Sequence, residues 1–266
     1  MMKKRIISAA VALLIFVPII LHGGIIFNIV AYLIGLMCLK EFLDAKSNKK
    51  EVPFPITIIA YIFMSLMILF DVTSTTIQYS LDYRIISSLF MSLLIPVILY
   101  HDSKKYDIKD AFYVIGGVLF LGISFSLLIM IRNLSLKLFV FLFIITIVTD
   151  TFAYITGSLI GKNKLLPTVS PKKSWAGLIG GLVMGVFVSF VFYNTCINPE
   201  LPWIKLLGAC FFLSLLAQIG DMVFSAMKRY FGIKDFSNIM PGHGGILDRL
   251  DSIIFVSLGF IFFTFL

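Results

Sequence analysis

Charge is scarce in this chain. Asp, Glu, Lys and Arg make up 14% of its 266 residues, against about a quarter in a soluble globular domain. Hydrophobic residues supply 59%, and the mean hydropathy is +1.03. No single water-facing domain buries that much apolar surface, so the expected solvent is lipid. Cysteine is scarce too. Cys38, Cys196 and Cys210 are odd in number and widely spaced, which excludes a disulfide framework and a C-x-x-C metal or redox site. They read as small apolar packers. No H-E-x-x-H pattern or Cys/His cluster argues for zinc. Internal repeats, low-complexity tracts and a separate soluble domain are also missing.

What is present is a series of apolar runs. Nine fall at roughly 6–21, 25–39, 55–70, 84–100, 111–131, 136–160, 175–197, 203–227 and 252–266, several near the roughly 17-residue lower limit for a span. Met1-Met2-Lys3-Lys4-Arg5 opens the first, but no small-x-small site follows it, so it reads as a signal anchor. The first two runs, joined only by His22-Gly23-Gly24, also suit a re-entrant hairpin. Basic residues test the set, because cytoplasmic loops carry the excess of Lys and Arg. Of the 22, only Arg84, Arg132, Lys137 and Lys205 fall on the side opposite the N-terminus. The expected fold is therefore an all-α polytopic membrane protein of about nine transmembrane helices, N-terminus cytoplasmic and C-terminus outside. Its expected organisation is a single integrated membrane domain: a hydrophobic bundle of about five spans over 1–135, then a catalytic helical region of about four spans over 136–266. The division rests on composition, since acids enter the spans only in the second part.

Asp150 lies inside the run Phe139 to Ile160. Thr146, Asp150, Ala153, Tyr154, Gly157 and Gly161 recur at three- and four-residue steps, so one helical face is small and polar. A carboxylate at membrane depth is costly unless paired, hydrated or on a metal. Ser170-Pro-Lys-Lys-Ser174 stands at the mouth of the next helix, where Ser174 is placed to N-cap it and Lys172 and Lys173 flank its positive end. Exposed amides and two ammonium groups suit an anion such as phosphate. Gly177, Gly181 and Gly185, with Ser189, form a small-xxx-small face for close helix packing. Gln218, Asp221, Ser225 and Lys228 share a face of the eighth run, with Asp221 the first candidate metal ligand. The richest stretch is Pro241-Gly-His-Gly-Gly-Ile-Leu-Asp-Arg-Leu-Asp251. Its glycines allow close backbone approach to a ligand; His243 suits phosphate contact or proton transfer; Asp248 and Asp251 face the same way, and Arg249 points about 100° aside. Acids for Mg²⁺ and bases for phosphates point to phosphoryl or nucleotidyl transfer at a membrane-embedded site.

These residues resemble a known family. Ser225-x-x-Lys228-Arg229, Lys234-Asp235 and 241–251 resemble the signature of phosphatidate cytidylyltransferases, and Asp150-Thr-x-Ala-Tyr154 and Ser170-Pro-Lys-Lys-Ser174 resemble further motifs of that family in the same order. The likeness covers about 140–252; the first 135 residues match only as a hydrophobic bundle. Ala176 stands where the family usually has Glu, and Phe224 where an acid often precedes the Ser. The resemblance implies transfer of a cytidylyl group from CTP to phosphatidic acid, giving CDP-diacylglycerol and pyrophosphate, by direct attack of the lipid phosphate. It implies Mg²⁺ as cofactor, with room for a second cation, on Asp221 and Asp248, with Asp251 and Asp150 as ligand or supporting acids. Lys173 and His243 join Asp221 and Asp248 in catalysis, while Ser170, Lys172, Lys173, Ser225, Lys228, Arg229, His243, Gly244 and Arg249 contact substrate. The implied partners are CTP, phosphatidic acid and membrane lipid, not nucleic acid, with a homodimer compatible. The implied location is a bacterial inner membrane, the site facing the cytoplasm.

Rival readings are a CTP-dependent lipid kinase of related architecture and an ion-coupled transporter. A transporter also places acids in the membrane, but it has no need of a Gly-rich His loop, and no inverted repeat is present.

Overall fold

The computed structural model describes residues 11, 14–70, 83–240 and 244–263. Among them are nine helices: α1 (14–22), α2 (Gly24–Ser47), α3 (Phe54–Phe70), α4 (Tyr83–Leu99), α5 (Ile108–Leu134), α6 (Leu136–Ile160), α7 (Trp175–Cys196), α8 (Trp203–Tyr230) and α9 (Leu247–Phe260). Five of these, α2, α5, α6, α7 and α8, are long and apolar enough to cross a membrane. The helices α3 and α4 are 17 residues each, at the short end for a span. The protein is a helical membrane protein with one departure from the all-α expectation. Residues Lys164–Leu166 (β1) and Ser170–Ser174 (β2) pair as a two-stranded antiparallel hairpin. Pro171 disfavours helix for Ser170 before it, and the Val169 amide closes the turn onto the Leu166 carbonyl at 3.2 Å.

The chain divides into two compact units, 1–134 with 231–248 and 135–230 with 249–266. In the first, α5 is the central helix, buried along most of its length and packed on α2, α3 and α4. Its start is set by two acids. The Asp110 amide donates to Asp107 Oδ1 at 3.0 Å and the Asp107 amide to Asp110 Oδ2 at 2.9 Å, a reciprocal cap that satisfies two of the helix's orphan donors. Lys46 and Lys50 both pair with the buried Asp110 carboxylate. Beside them Phe42 stacks on Tyr113 with ring centroids 4.5 Å apart, and the Tyr113 hydroxyl donates to the Phe42 carbonyl at 2.6 Å.

The break between α1 and α2 is glycine-dependent. Gly23 and Gly24 have φ of 69° and 59°, a left-handed backbone that side chains rarely adopt. Arg132 fills the space beside Gly23 and donates to the Ile20 and Leu21 carbonyls at 2.6 and 3.0 Å. These are last-turn carbonyls of α1 that have no helical partner.

In the second unit α6 and α7 are the most closely packed pair. Gly177, Gly181 and Gly185 are the reason. A Cβ at Gly177 would lie 2.7 Å from the Ala153 carbonyl, and one at Gly181 2.6 Å from the Thr149 carbonyl. Where lipid removes the hydrophobic drive between helices, such close van der Waals approach and interhelical hydrogen bonds hold them together. One such bond joins the Thr149 and Ser214 hydroxyls at 2.8 Å, fully buried between α6 and α8. On the other side of α8, Gly220 lies against the Asp251 carbonyl and Phe255 of α9. Cys38 and Cys210 are buried and Cys196 is exposed at the end of α7; all three are free thiols.

Candidate functional site

A cavity of about 570 Å³ opens in the second unit. The polar stripe of α6 forms one wall through Asp150, Ala153, Tyr154, Gly157 and Gly161. The hairpin adds Lys164, Ser170, Lys172, Lys173 and Ser174, and α8 adds Gln218 and Asp221. Three lysines and two carboxylates therefore face a space large enough for a small ligand.

Each side chain is placed by local structure. Ser174 caps α7, accepting from the Gly177 amide at 3.2 Å, so the hairpin leads directly into the helix and Lys173 is delivered to its N-terminal end. Lys173 Nζ lies 2.8 Å from Asp221 Oδ2 and donates to the Gln218 carbonyl at 3.2 Å. Gln218 is buried and donates to the Leu178 carbonyl at 3.0 Å. Ser225, one turn along α8, donates to Asp221 Oδ1 at 3.3 Å. Lys228 and Asp251 are each only 9% exposed and interact electrostatically. Asp150, Asp221 and Asp251 lie near enough to feel one another's charge. Arg229, on the exposed end of α8, donates to the Val169 carbonyl of the hairpin turn at 3.3 Å.

Among the described residues no group of three or more His, Cys, Asp or Glu side chains forms a ready-made metal cage. The Asp221 carboxylate, bridged to Lys173 and within electrostatic reach of Asp150 and Asp251, nonetheless offers the oxygen donors that a hard cation takes. The buried Ser252 hydroxyl, next to Asp251 in the chain, interacts with the Asp150 carboxylate.

Of the remaining expected residues, Gly244 and Asp248 lie in the first unit and Arg249 in the second. Asp248 is buried at the start of α9, and its Oδ2 accepts from the Phe236 amide at 2.8 Å and the Gly245 amide at 3.0 Å. Gly244, with φ of 89°, exchanges backbone hydrogen bonds of 2.9 and 3.2 Å with Met240. Pro241, Gly242 and His243, between these two, lie outside the described residues. Arg249 is exposed. Two residues had no legible role in the sequence. Lys164 faces the cavity, though its only signal was a place among the basic residues of the 162–173 loop. Glu41 of α2, 1% exposed, accepts from the Ser237 hydroxyl and the Ile246 and Leu247 amides. No local pattern reveals a partner some 200 residues away.

Comparison with known proteins bears on this geometry. The model of the cytidylyltransferase family matches residues 3–266. The chain belongs to that family. Curated relatives include the phosphatidate cytidylyltransferase of Staphylococcus aureus (strain COL), 37% identical over 257 residues, and that of Staphylococcus epidermidis, 38% identical over 256. A third, from Staphylococcus saprophyticus, is 35% identical over 260 residues; each alignment covers 96% of this chain and 96% of the relative. Family membership thus extends through the first 135 residues, whose own motifs carried no resemblance. Within the family frame, 150–154 and 170–174 are the segments that wall the cavity on two sides.

Proposed function

We propose that the protein is a phosphatidate cytidylyltransferase, transferring a cytidylyl group from CTP to phosphatidic acid. The observation that carries this, beside the relatives' name, is the cavity in which Lys164, Lys172 and Lys173 face Asp150 and Asp221. Bases for phosphates and acids for a divalent cation are what nucleotidyl transfer requires, and no paired nucleophile and base is needed, because a phosphate oxygen is already a nucleophile. That oxygen forms a bond to the α-phosphorus of CTP, the bond from the α-phosphorus to the oxygen bridging to the β-phosphorus breaks, and pyrophosphate leaves with the bonding electron pair.

Lys172, Lys173 and Arg229 hold the CTP phosphates, with Ser170, Ser225, Lys228, Gly244 and Arg249 as further substrate contacts and His243 as phosphate contact or proton carrier. Asp221, with Asp150 and Asp251 near it, would hold Mg²⁺, and the resemblance gives Asp248 the same duty. The cation, when bound, neutralises charge on the reacting phosphates. CTP arrives from the cytosol, while phosphatidic acid keeps its acyl chains in the leaflet, since each CH₂ drawn into water costs about 0.8 kcal/mol. The nine apolar segments are all spans in this proposal, with the N-terminus cytoplasmic and the C-terminus outside a bacterial inner membrane.

The decisive experiment supplies purified protein in detergent with CTP, Mg²⁺ and phosphatidic acid. Lipid-borne cytidine with equimolar pyrophosphate is expected, and none from Asp221→Asn protein that is folded and inserted. Lipid-borne phosphate with release of CDP instead means a CTP-dependent kinase, and near-normal Asp221→Asn activity removes Asp221 from the metal. Cysteine labelling of residue 244 from outside the cell would overturn the orientation.

A further inference from the structure

Glu41 carries no group that the proposed reaction consumes, yet its carboxylate is 1% exposed and no salt bridge compensates it among the described residues. Taking an ionised carboxylate out of water is costly unless hydrogen bonds replace the solvent. Three donors do so here: the Ser237 hydroxyl at 2.5 Å, the Ile246 amide at 2.9 Å and the Leu247 amide at 2.7 Å. The last two belong to the start of α9, where backbone amides lack helical partners and the helix dipole favours a negative charge. Three donors on one carboxylate fill acceptor sites that water would otherwise occupy.

The backbone lies directly against this carboxylate. A Cβ at Gly245 would sit 2.7 Å from Glu41 Oε2, so a larger residue there displaces either the carboxylate or the loop. Immediately downstream, Asp248 turns its own Oδ2 back to the Phe236 and Gly245 amides. Two buried carboxylates thus hold residues 236–237 and 245–247, Glu41 from α2 and Asp248 from the start of α9.

We infer that Glu41 is a positioning residue of the reaction. It sets the backbone of 245–247 and, through it, the place of Asp248. The inference rests on the proposed function for its catalytic consequence and on geometry alone for the clamp. A merely structural role would lower stability or yield and leave the turnover of each folded molecule unchanged. A positioning role loosens the loop and lowers kcat in protein that remains folded.

Glu41→Gln is the discriminating variant. It keeps the length but replaces one acceptor oxygen with an NH₂ group that faces N–H and O–H donors. Hydrogen exchange of the metal-free, substrate-free protein should show faster exchange in peptides covering 244–250. The kcat per folded molecule should fall by about 10- to 100-fold, the range usual for partners that orient ligating side chains, with the KM for CTP unchanged. Glu51→Gln, altering an exposed acid outside the site, should match wild type in both measurements. Unchanged exchange at 244–250 in folded Glu41→Gln protein, or unchanged kcat, overturns the inference. If Glu41→Gln does not fold, Ser237→Ala removes one donor and should show both effects in weaker form; wild-type behaviour in both then overturns it. Wild-type protein that makes no CDP-lipid would defeat the proposed function instead, and exchange at 244–250 would still decide the clamp.

Discussion

The Lys173 ammonium is bridged to the Asp221 carboxylate at 2.8 Å, tying the end of the β-hairpin to the middle of α8. Both side chains are partly open to the cavity, about a quarter and a third exposed, so solvent screens the pair and it adds little to stability. Its interest is chemical. In the proposed reaction the lysine serves a phosphate and the acid a cation, so the pair would have to part when substrate and metal bind.

Lys173→Ala is therefore expected to raise the apparent KM for CTP more than that for phosphatidic acid, because it removes a cation from the wall that meets the nucleotide. Steady-state kinetics with each substrate varied in turn checks this. The reverse ranking would assign Lys173 to the lipid phosphate.

The glycine face of α7 makes a prediction about stability alone. Gly181→Ala places a methyl 2.6 Å from the Thr149 carbonyl and should destabilise by about 1–3 kcal/mol, the usual cost of overpacking. Gly208→Ala, where nothing lies within 4 Å of the new Cβ, should be neutral or stabilising by up to about 1 kcal/mol, since alanine favours helix over glycine. Thermal unfolding in detergent compares the two, and equal midpoints would mean that α6 and α7 are not packed through these glycines.

Acid should weaken the first unit in part through Asp107, which precedes α5. Burial pushes its carboxyl up, but the Asp110 amide and the Lys50 ammonium, 3.0 Å away, outweigh this and hold it below the usual carboxylate range. A folded-state pKa below the unfolded one contributes stability above the unfolded value, about 3.9, and loses it as pH falls through the folded value. Asp107→Asn should lower the unfolding midpoint at pH 7, where its charge pairing is worth less than about 1 kcal/mol, and should narrow the gap from wild type below pH 4. A gap that stays constant with pH would show that Asp107 acts only as a hydrogen-bonding cap.

The helices were legible because lipid imposes a simple rule: backbone groups must be satisfied within the segment, so long apolar runs become helices. The segment expected at 203–227 is α8 with one further turn, and that at 136–160 is α6. The polar stripe of α6 was legible for the same reason, since a period of 3.6 puts Asp150, Ala153, Tyr154 and Gly157 on one wall. The hairpin at 164–174 was not. Its residues are polar, and only the return of β2 along β1 turns a basic loop into a strand that aims Lys173 at α8.

Composition and spacing by themselves determined that this is a helical membrane protein, where its helices run, and that Asp150, Ala153, Tyr154 and Gly157 share one face. Those are local properties, set by hydropathy and by the pitch of a helix. Tertiary structure alone decided that Lys173 meets Asp221, that Asp248 turns onto the Phe236 and Gly245 amides, and that Glu41 grips Ile246 and Leu247. Each pairing joins residues distant in the chain or lying in irregular backbone. A buried carboxylate takes whichever donors the packed helices bring to it, and no periodicity in the sequence encodes that choice.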